Sequence, residues 1–433
     1  MLKKIPVRQL RMGMHLHKLE GSWIDHPFWK TRFVIDDAAD LRKLRACGVD
    51  ECWIDVDLGL DVAGADDATL PTPAREPDPE PAQARPEAPP PLPRAGAAAA
   101  PAAPPRPPEP QTDLRAELKQ AAAICNRGRE AVLAMFGEAR MGHTIDPETC
   151  LPLVEEISNS VARNAGALVS LARLKTVDDY SYMHSVAVCA LMVALGRQLG
   201  FDEDACRAAG LAGLMHDIGK ALMPLEVLNK PGRLTEEEFA IIRTHPERGR
   251  ELLAEGGGST AAMLDVVLHH HERVDGSGYP DKLSGEAFTQ LARMGSVCDV
   301  YDAITSNRPY KKGWDPAESI ARMASWKGHF DERIFGAFVR SLGIYPTGSL
   351  VRMASGRLAV VCEQNPANLV APTVKVFFST KTQLHITPTL LDLSRPGTTD
   401  RIVGREPRVV DGVPRFTHID ELWADPEALR RTR

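Results

Sequence analysis

The chain has 433 residues, with 52 Lys and Arg against 58 Asp and Glu, a formal net charge of −6 and a pI near 6.1. That balance argues against a duplex nucleic-acid binder, while leaving room for a local basic pocket. The length predicts two or three domains, and a 43% hydrophobic fraction is ample for a core.

Residues 1–65 read as a small α+β domain, with strands at 5–7, 33–35 and 52–56 and a short helix at 38–46 stopped by Gly48. His15 and His17 alternate along one segment and read as surface histidines. Residues 66–111 form a Pro/Ala-rich linker. Sixteen of the chain's 34 prolines fall within 71–110, and so few large apolar side chains cannot repay the entropy of ordering it, so disorder is expected there.

Residues 112–345 read as an all-α bundle. Apolar residues recur at i, i+3 and i+4 in segments 113–136, 151–173, 179–199, 203–218, 235–254, 260–271, 286–305, 316–326 and 331–341. Residues 346–433 read as a small β-rich extension, with strands at 349–353, 358–362, 374–378 and 383–386 and a terminal helix at 420–431. Eight scattered cysteines without a CxxC pair indicate reduced thiols. The basic start has no apolar signal region, and the longest apolar run, 186–196, is too short for a bilayer. No membrane span and a cytoplasmic location are therefore expected.

The bundle carries more polar residues on apolar faces than a plain core tolerates. His184 begins a face with Ala187, Val188, Leu191 and Leu195. His216-Asp217 sits among Leu211, Leu214, Met215 and Ile218. His245, the run His269-His270-His271, and Asp299 with Asp302 occupy later helices. Facing helices of a bundle build metal sites from such side chains. An imidazole-rich set with one or two carboxylates suits Fe, Mn, Co or Ni, with Zn also compatible.

This spacing resembles the HD superfamily of metal-dependent phosphohydrolases. HDIGK at 216–220, HHERVDGSGYP at 270–280 and DVYDAITSNRPYK at 299–311 resemble, more narrowly, the HD-GYP family of cyclic di-GMP phosphodiesterases. The segments IPVRQLRMGMHL and WIDHPFWKTRFVI are similar to a small domain of unknown function that often precedes HD-GYP domains. The resemblance implies that His184, His216, Asp217 and Asp299 hold one divalent metal, and that Asp217, His245, His270 and His271 hold a second. Asp217 would then bridge the two, and a bridging water would attack phosphorus.

The resemblance also casts Asp217 and Lys220 as the catalytic pair. Lys220, Tyr279, Arg308 and Lys311 would contact substrate, with Tyr279 stacking on or bonding to a guanine. Asp302, Glu272 and Asp275 would support the ligands from behind. Tyr180 stands where some family members carry a Glu for a third metal, so a two-metal site is expected. Val274 replaces a common Trp, and His269 is an extra histidine without an assigned role.

The activity implied is hydrolysis of cyclic di-GMP to pGpG, and further to GMP. The alternatives are a catalytically weak cyclic di-GMP sensor or docking module, and a phosphohydrolase of another nucleotide or cyclic dinucleotide. A homodimer, or a signalling partner on the N-terminal domain or the HD-GYP surface, is compatible with the resemblance.

Overall fold

A computed structural model describes residues 2–19, 33–35, 41–42, 44–45, 51–61, 114–174, 180–230, 232, 234–306, 313–410, 413–414, 416 and 418–424. The chain separates into two compact units, 1–104 and 105–433.

In the first unit, β1 (Leu2–Pro6), β2 (His15–Leu19), β3 (Phe33–Val34) and β4 (Glu51–Asp55) form an antiparallel sheet in the order β1-β4-β2-β3. Alternate residues Cys52 and Ile54 point inward, as the two-residue strand period requires. They meet Ile5, Leu10, Met14, Leu16, Ile35 and Leu44 in one small core. Residues 41, 42, 44 and 45 are helical; the remainder of the expected 38–46 helix and the 66–111 linker lie outside the described residues.

The second unit runs α1 (Leu114–Arg140), α2 (Leu151–Arg163), α3 (Ala165–Ala172), α4 (Tyr180–Gln198), α5 (Glu203–Met215), α6 (Leu225–Leu228), α7 (Glu236–Ile242), α8 (His245–Gly256), α9 (Ala261–His269), α10 (Gln290–Thr305), α11 (Pro316–Ser325) and α12 (Glu332–Leu342). Three expected helices are broken, each for a local reason. Asn164 interrupts 151–173: its backbone is extended, and its side chain caps the amides of Gly166 and Ala167. The 235–254 helix stops at Arg243 and restarts at His245, where Pro246 fits the first turn. The 203–218 helix ends at Met215 and gives way to a tight turn over Ile218–Leu222.

α7 is unusual in burying no side chain. It is held by a Thr235–Glu238 capping box and by Lys230, whose ammonium lies 2.6 Å from Glu238.

β5 (Leu350–Met353), β6 (Arg357–Glu363), β7 (Thr373–Ser379), β8 (Leu384–Asp392) and β9 (Ile402–Arg405) form an antiparallel sheet in the order β8-β7-β6-β5-β9. β9 and the short hairpin β10 (Val409–Val410) with β11 (Val413–Pro414) had no clear alternation to announce them. Of the expected terminal helix, only a 3-10 turn over Ile419–Leu422 is described.

The sheet is joined to the bundle rather than appended to it. Leu350, Leu358, Val360 and Cys362 share a core with the helices, while Val351, Ala359 and Val361 pack on the opposite sheet face. Asp315, the cap of α11, accepts from the Leu350 amide at 3.1 Å and from Arg408 at 3.1 Å, pinning helix to sheet.

Candidate metal centre

Five chain segments converge on one buried centre. α4 contributes His184 from a helix buried on nearly every side. His216 caps the C-terminus of α5, and the chain bends at Asp217. That bend depends on Gly219: a Cβ there would collide with the His245 carbonyl oxygen. Its absence lets the turn lie against α8 and brings Asp217 Oδ1 to 3.1 Å from His245 Nε2. His270 and His271 follow the end of α9, and Asp299 and Asp302 lie one turn apart on α10.

The side chains fall into two groups, His184, His216 and Asp299, and Asp217, His245, His270 and His271. Asp217 stands between them. Its Oδ2 is 3.5 Å from His184 Nε2 and 3.3 Å from His216 Nε2, and its Oδ1 faces His245 and, at 3.7 Å, His270. Asp299 Oδ1 is 3.0 Å from His184 Nε2, and its Oδ2 is 3.6 Å from His271 Nδ1.

The tautomers are set by backbone. Nδ1 of His216 donates to the Gly213 carbonyl at 2.8 Å, that of His245 to Ile242 at 2.7 Å, and that of His270 to Val267 at 3.0 Å. Their Nε2 lone pairs are then thrown together: His216 Nε2 is 3.2 Å from His184 Nε2, and His245 Nε2 is 3.4 Å from His270 Nε2. Two nitrogens that both present lone pairs cannot bond to each other. Asp217 Oδ1 is likewise buried without a hydrogen-bond partner. Inward-facing nitrogen lone pairs and carboxylate oxygens are a donor set that divalent cations fit.

The charges agree. Burial would raise the Asp217 carboxyl, but Lys220 and the surrounding imidazoles hold it well below the usual carboxylate range. Burial likewise opposes Asp299 ionisation, and His184 and His271 overcome it. Burial, with His216 beside it, pushes His270 down to about 3, so its ring is neutral at physiological pH. For His184, burial is outweighed by Asp299 and Asp302, which raise its pKa.

Asp302 accepts from His184 Nδ1 at 2.7 Å and so orients the ring from behind. Glu272 and Asp275 shape the neighbouring loop instead. Glu272 is fully buried and accepts from the Asp281 amide at 2.7 Å; Asp275 accepts from the Ser277 amide at 2.9 Å. Lys220 forms an ion pair with Asp217. Tyr279 stacks on His271, ring centroids 4.7 Å apart, and burial pushes its phenol pKa up. His269 bridges Asp265 at 2.7 Å and Asp281 at 3.0 Å, tying α9 to the end of the loop. Arg308 and Lys311, and the side chain of Tyr180, lie outside the described residues. Arg243, which the sequence reading passed over, lies over the Tyr279 ring; its only signal was a basic residue two positions before His245.

Comparison with known proteins places this arrangement. Residues 2–150 match a domain of unknown function (DUF3391), and residues 157–334 match the HD domain. The first match reaches past residue 65 to the start of the bundle. The cyclic di-GMP phosphodiesterase PA4108 of Pseudomonas aeruginosa is 51% identical over 424 residues, 98% of this chain and 96% of that protein. The chain belongs to the HD-GYP family.

Two other relatives match a shorter stretch. The cyclic di-GMP phosphodiesterase response regulator RpfG of Xanthomonas campestris is 40% identical over 182 residues, 40% of this chain and 47% of the relative. The 3'3'-cGAMP-specific phosphodiesterase 1 of Vibrio cholerae is 33% identical over 203 residues, 46% of each chain. Among the described residues, this HD-GYP protein has no helix long and apolar enough to cross a membrane.

Proposed function

We infer that this protein is a metal-dependent phosphodiesterase that opens cyclic di-GMP to linear pGpG, with GMP as the further product. The observation that carries the reading is Asp217, with one carboxylate oxygen toward each of two ligand groups. His184, His216, Asp217 and Asp299 would hold one divalent cation, and Asp217, His245, His270 and His271 the other, with Fe or Mn favoured by the imidazole-rich set.

When bound, the cations would supply Lewis acidity toward the phosphodiester and lower the pKa of the attacking water. The chain supplies the geometry. Backbone carbonyls hold the imidazoles with Nε2 facing inward, and Asp302 does the same for His184 from its Nδ1 side. Lys220 balances the Asp217 charge in the resting protein. The Lys220 ammonium would give a proton to the departing ribose oxygen, whose P–O bond breaks as water adds to phosphorus. Arg308 and Lys311 complete the reading as phosphate ligands, a guanidinium fork and a point charge. Buried thiols, with no disulfide among the described residues, support a cytoplasmic location.

The test loads the purified protein with Mn or Fe(II), adds cyclic di-GMP and separates the products by chromatography. Formation of pGpG supports the reading; tight binding without product would leave a sensor. Asp217→Ala is expected to abolish both turnover and metal content. A second reading, 3'3'-cGAMP as substrate, is favoured by the Vibrio cholerae relative and is measured in the same assay.

A further inference from the structure

Arg243 is the C-cap of α7 and lies two residues before His245. Its guanidinium carbon is 4.5 Å from the centroid of Tyr279 and 6.0 Å from that of Phe239. Tyr279 stacks in turn on His271, at an interplanar angle of 27°. The cation is thus one ring away from a candidate metal ligand. Contacts of this kind hold a guanidinium against the ring and leave its N–H groups free. Arg243 is half-buried, and among the described residues no carboxylate, carbonyl or hydroxyl accepts from it. A positioned guanidinium with all five N–H donors unspent, at the edge of a metal centre, is prepared for an anion.

The substrate's charge tells which anion. Cyclic di-GMP carries two phosphodiesters, and only one can react at the centre at a time. In that reading Lys220, beside Asp217, and the phosphate ligands Arg308 and Lys311 serve the reacting phosphodiester. The second phosphodiester brings a charge that costs free energy when it leaves water unless a cation meets it.

We propose that Arg243 binds the phosphate of the substrate that is not being cleaved, and so selects dinucleotides over simple phosphodiesters. This rests on the reading of the protein as a cyclic di-GMP hydrolase. The same fork also fits guanine O6 and N7, but a neutral base gains less than a phosphate from a full positive charge.

The test is steady-state kinetics on the full-length, metal-loaded protein with two substrates, cyclic di-GMP and bis(p-nitrophenyl) phosphate. The latter has one phosphate and no base. In Arg243→Ala, KM for cyclic di-GMP is expected to rise about 10–100-fold, the loss of one charge-assisted contact. The KM for bis(p-nitrophenyl) phosphate rises far less, and Arg243→Lys, which keeps the charge, recovers part of the loss. Metal content at the wild-type level shows that the centre is intact. If Arg243→Ala does not fold, Arg243→Lys and Arg243→Gln carry the same comparison.

Equal losses on both substrates would mean that Arg243 only props Tyr279 against His271, and would overturn the proposal. So would an unchanged KM for cyclic di-GMP with an active wild-type protein. Weaker inhibition by guanosine in the variant would mean that the fork reads the base, overturning the phosphate assignment. A wild-type protein that does not turn over cyclic di-GMP would overturn the hydrolase reading, and this one with it.

Discussion

Asp302 has an economical task in the centre: one oxygen holds the outer nitrogen of His184 while the other accepts from the Ser306 hydroxyl. Removing the carboxylate frees the ring to rotate and frees its proton to move to Nε2. Asp302→Ala is therefore expected to weaken metal affinity about 10–100-fold while the fold survives, as measured by metal titration and thermal melting. A variant that binds metal like the wild type would show that packing alone orients His184. The centre was readable from sequence because His and Asp on apolar helix faces are costly without partners, and seven of them recur. Arg243 was not, because an arginine in IIRTHPERG looks like any solvated charge until Tyr279, thirty-six positions later, is found beneath it.

The same contrast holds for whole elements. Helical periodicity located the bundle, but it ran through the breaks at Asn164, at Thr244 and after Met215. Those breaks were written in other signals, an Asn that caps and a Pro that starts a turn, which periodicity ignores. They matter because His216, Asp217 and His245 all sit at helix ends, where a side chain has latitude that a mid-helix position lacks. The tight turn after Asp217 is the most sensitive piece. Gly219→Ala would drive its new methyl group into the His245 carbonyl, prising the turn from α8. A destabilisation on the order of 3 kcal/mol is expected, with a parallel fall in bound metal, read by chemical denaturation and metal analysis. Wild-type stability in this variant would show that the two segments can separate without strain.

At the scale of the whole molecule, the C-terminal sheet is the larger surprise. Composition marks 346–433 as a change of pattern, and alternation finds four of its strands, yet neither says which face is buried or against what. In the structure Leu358 and Val360 enter the same core as Phe338 and Ile334 of α12. A chain ending at residue 345 would expose that face of the bundle. It is expected to lose cooperative melting of the second unit and to aggregate, whereas in the chain carried through residue 433 that unit melts in one transition, as calorimetry would show. A truncated protein that melts like the full chain would mean that the sheet is dispensable.

α7 contributes no fully buried side chain to any core, so detaching it sacrifices partly covered apolar surface, the Lys230–Glu238 pair and a capping box worth about 1 kcal/mol. Among the described helices of the second unit it is one that can unfasten cheaply by itself, and its C-cap is the residue that overhangs Tyr279. Its departure would uncover one side of the centre without disturbing the bundle. Were this helix to open locally, a linear dinucleotide bound beside Tyr279 would leave at the rate of that opening rather than of global unfolding.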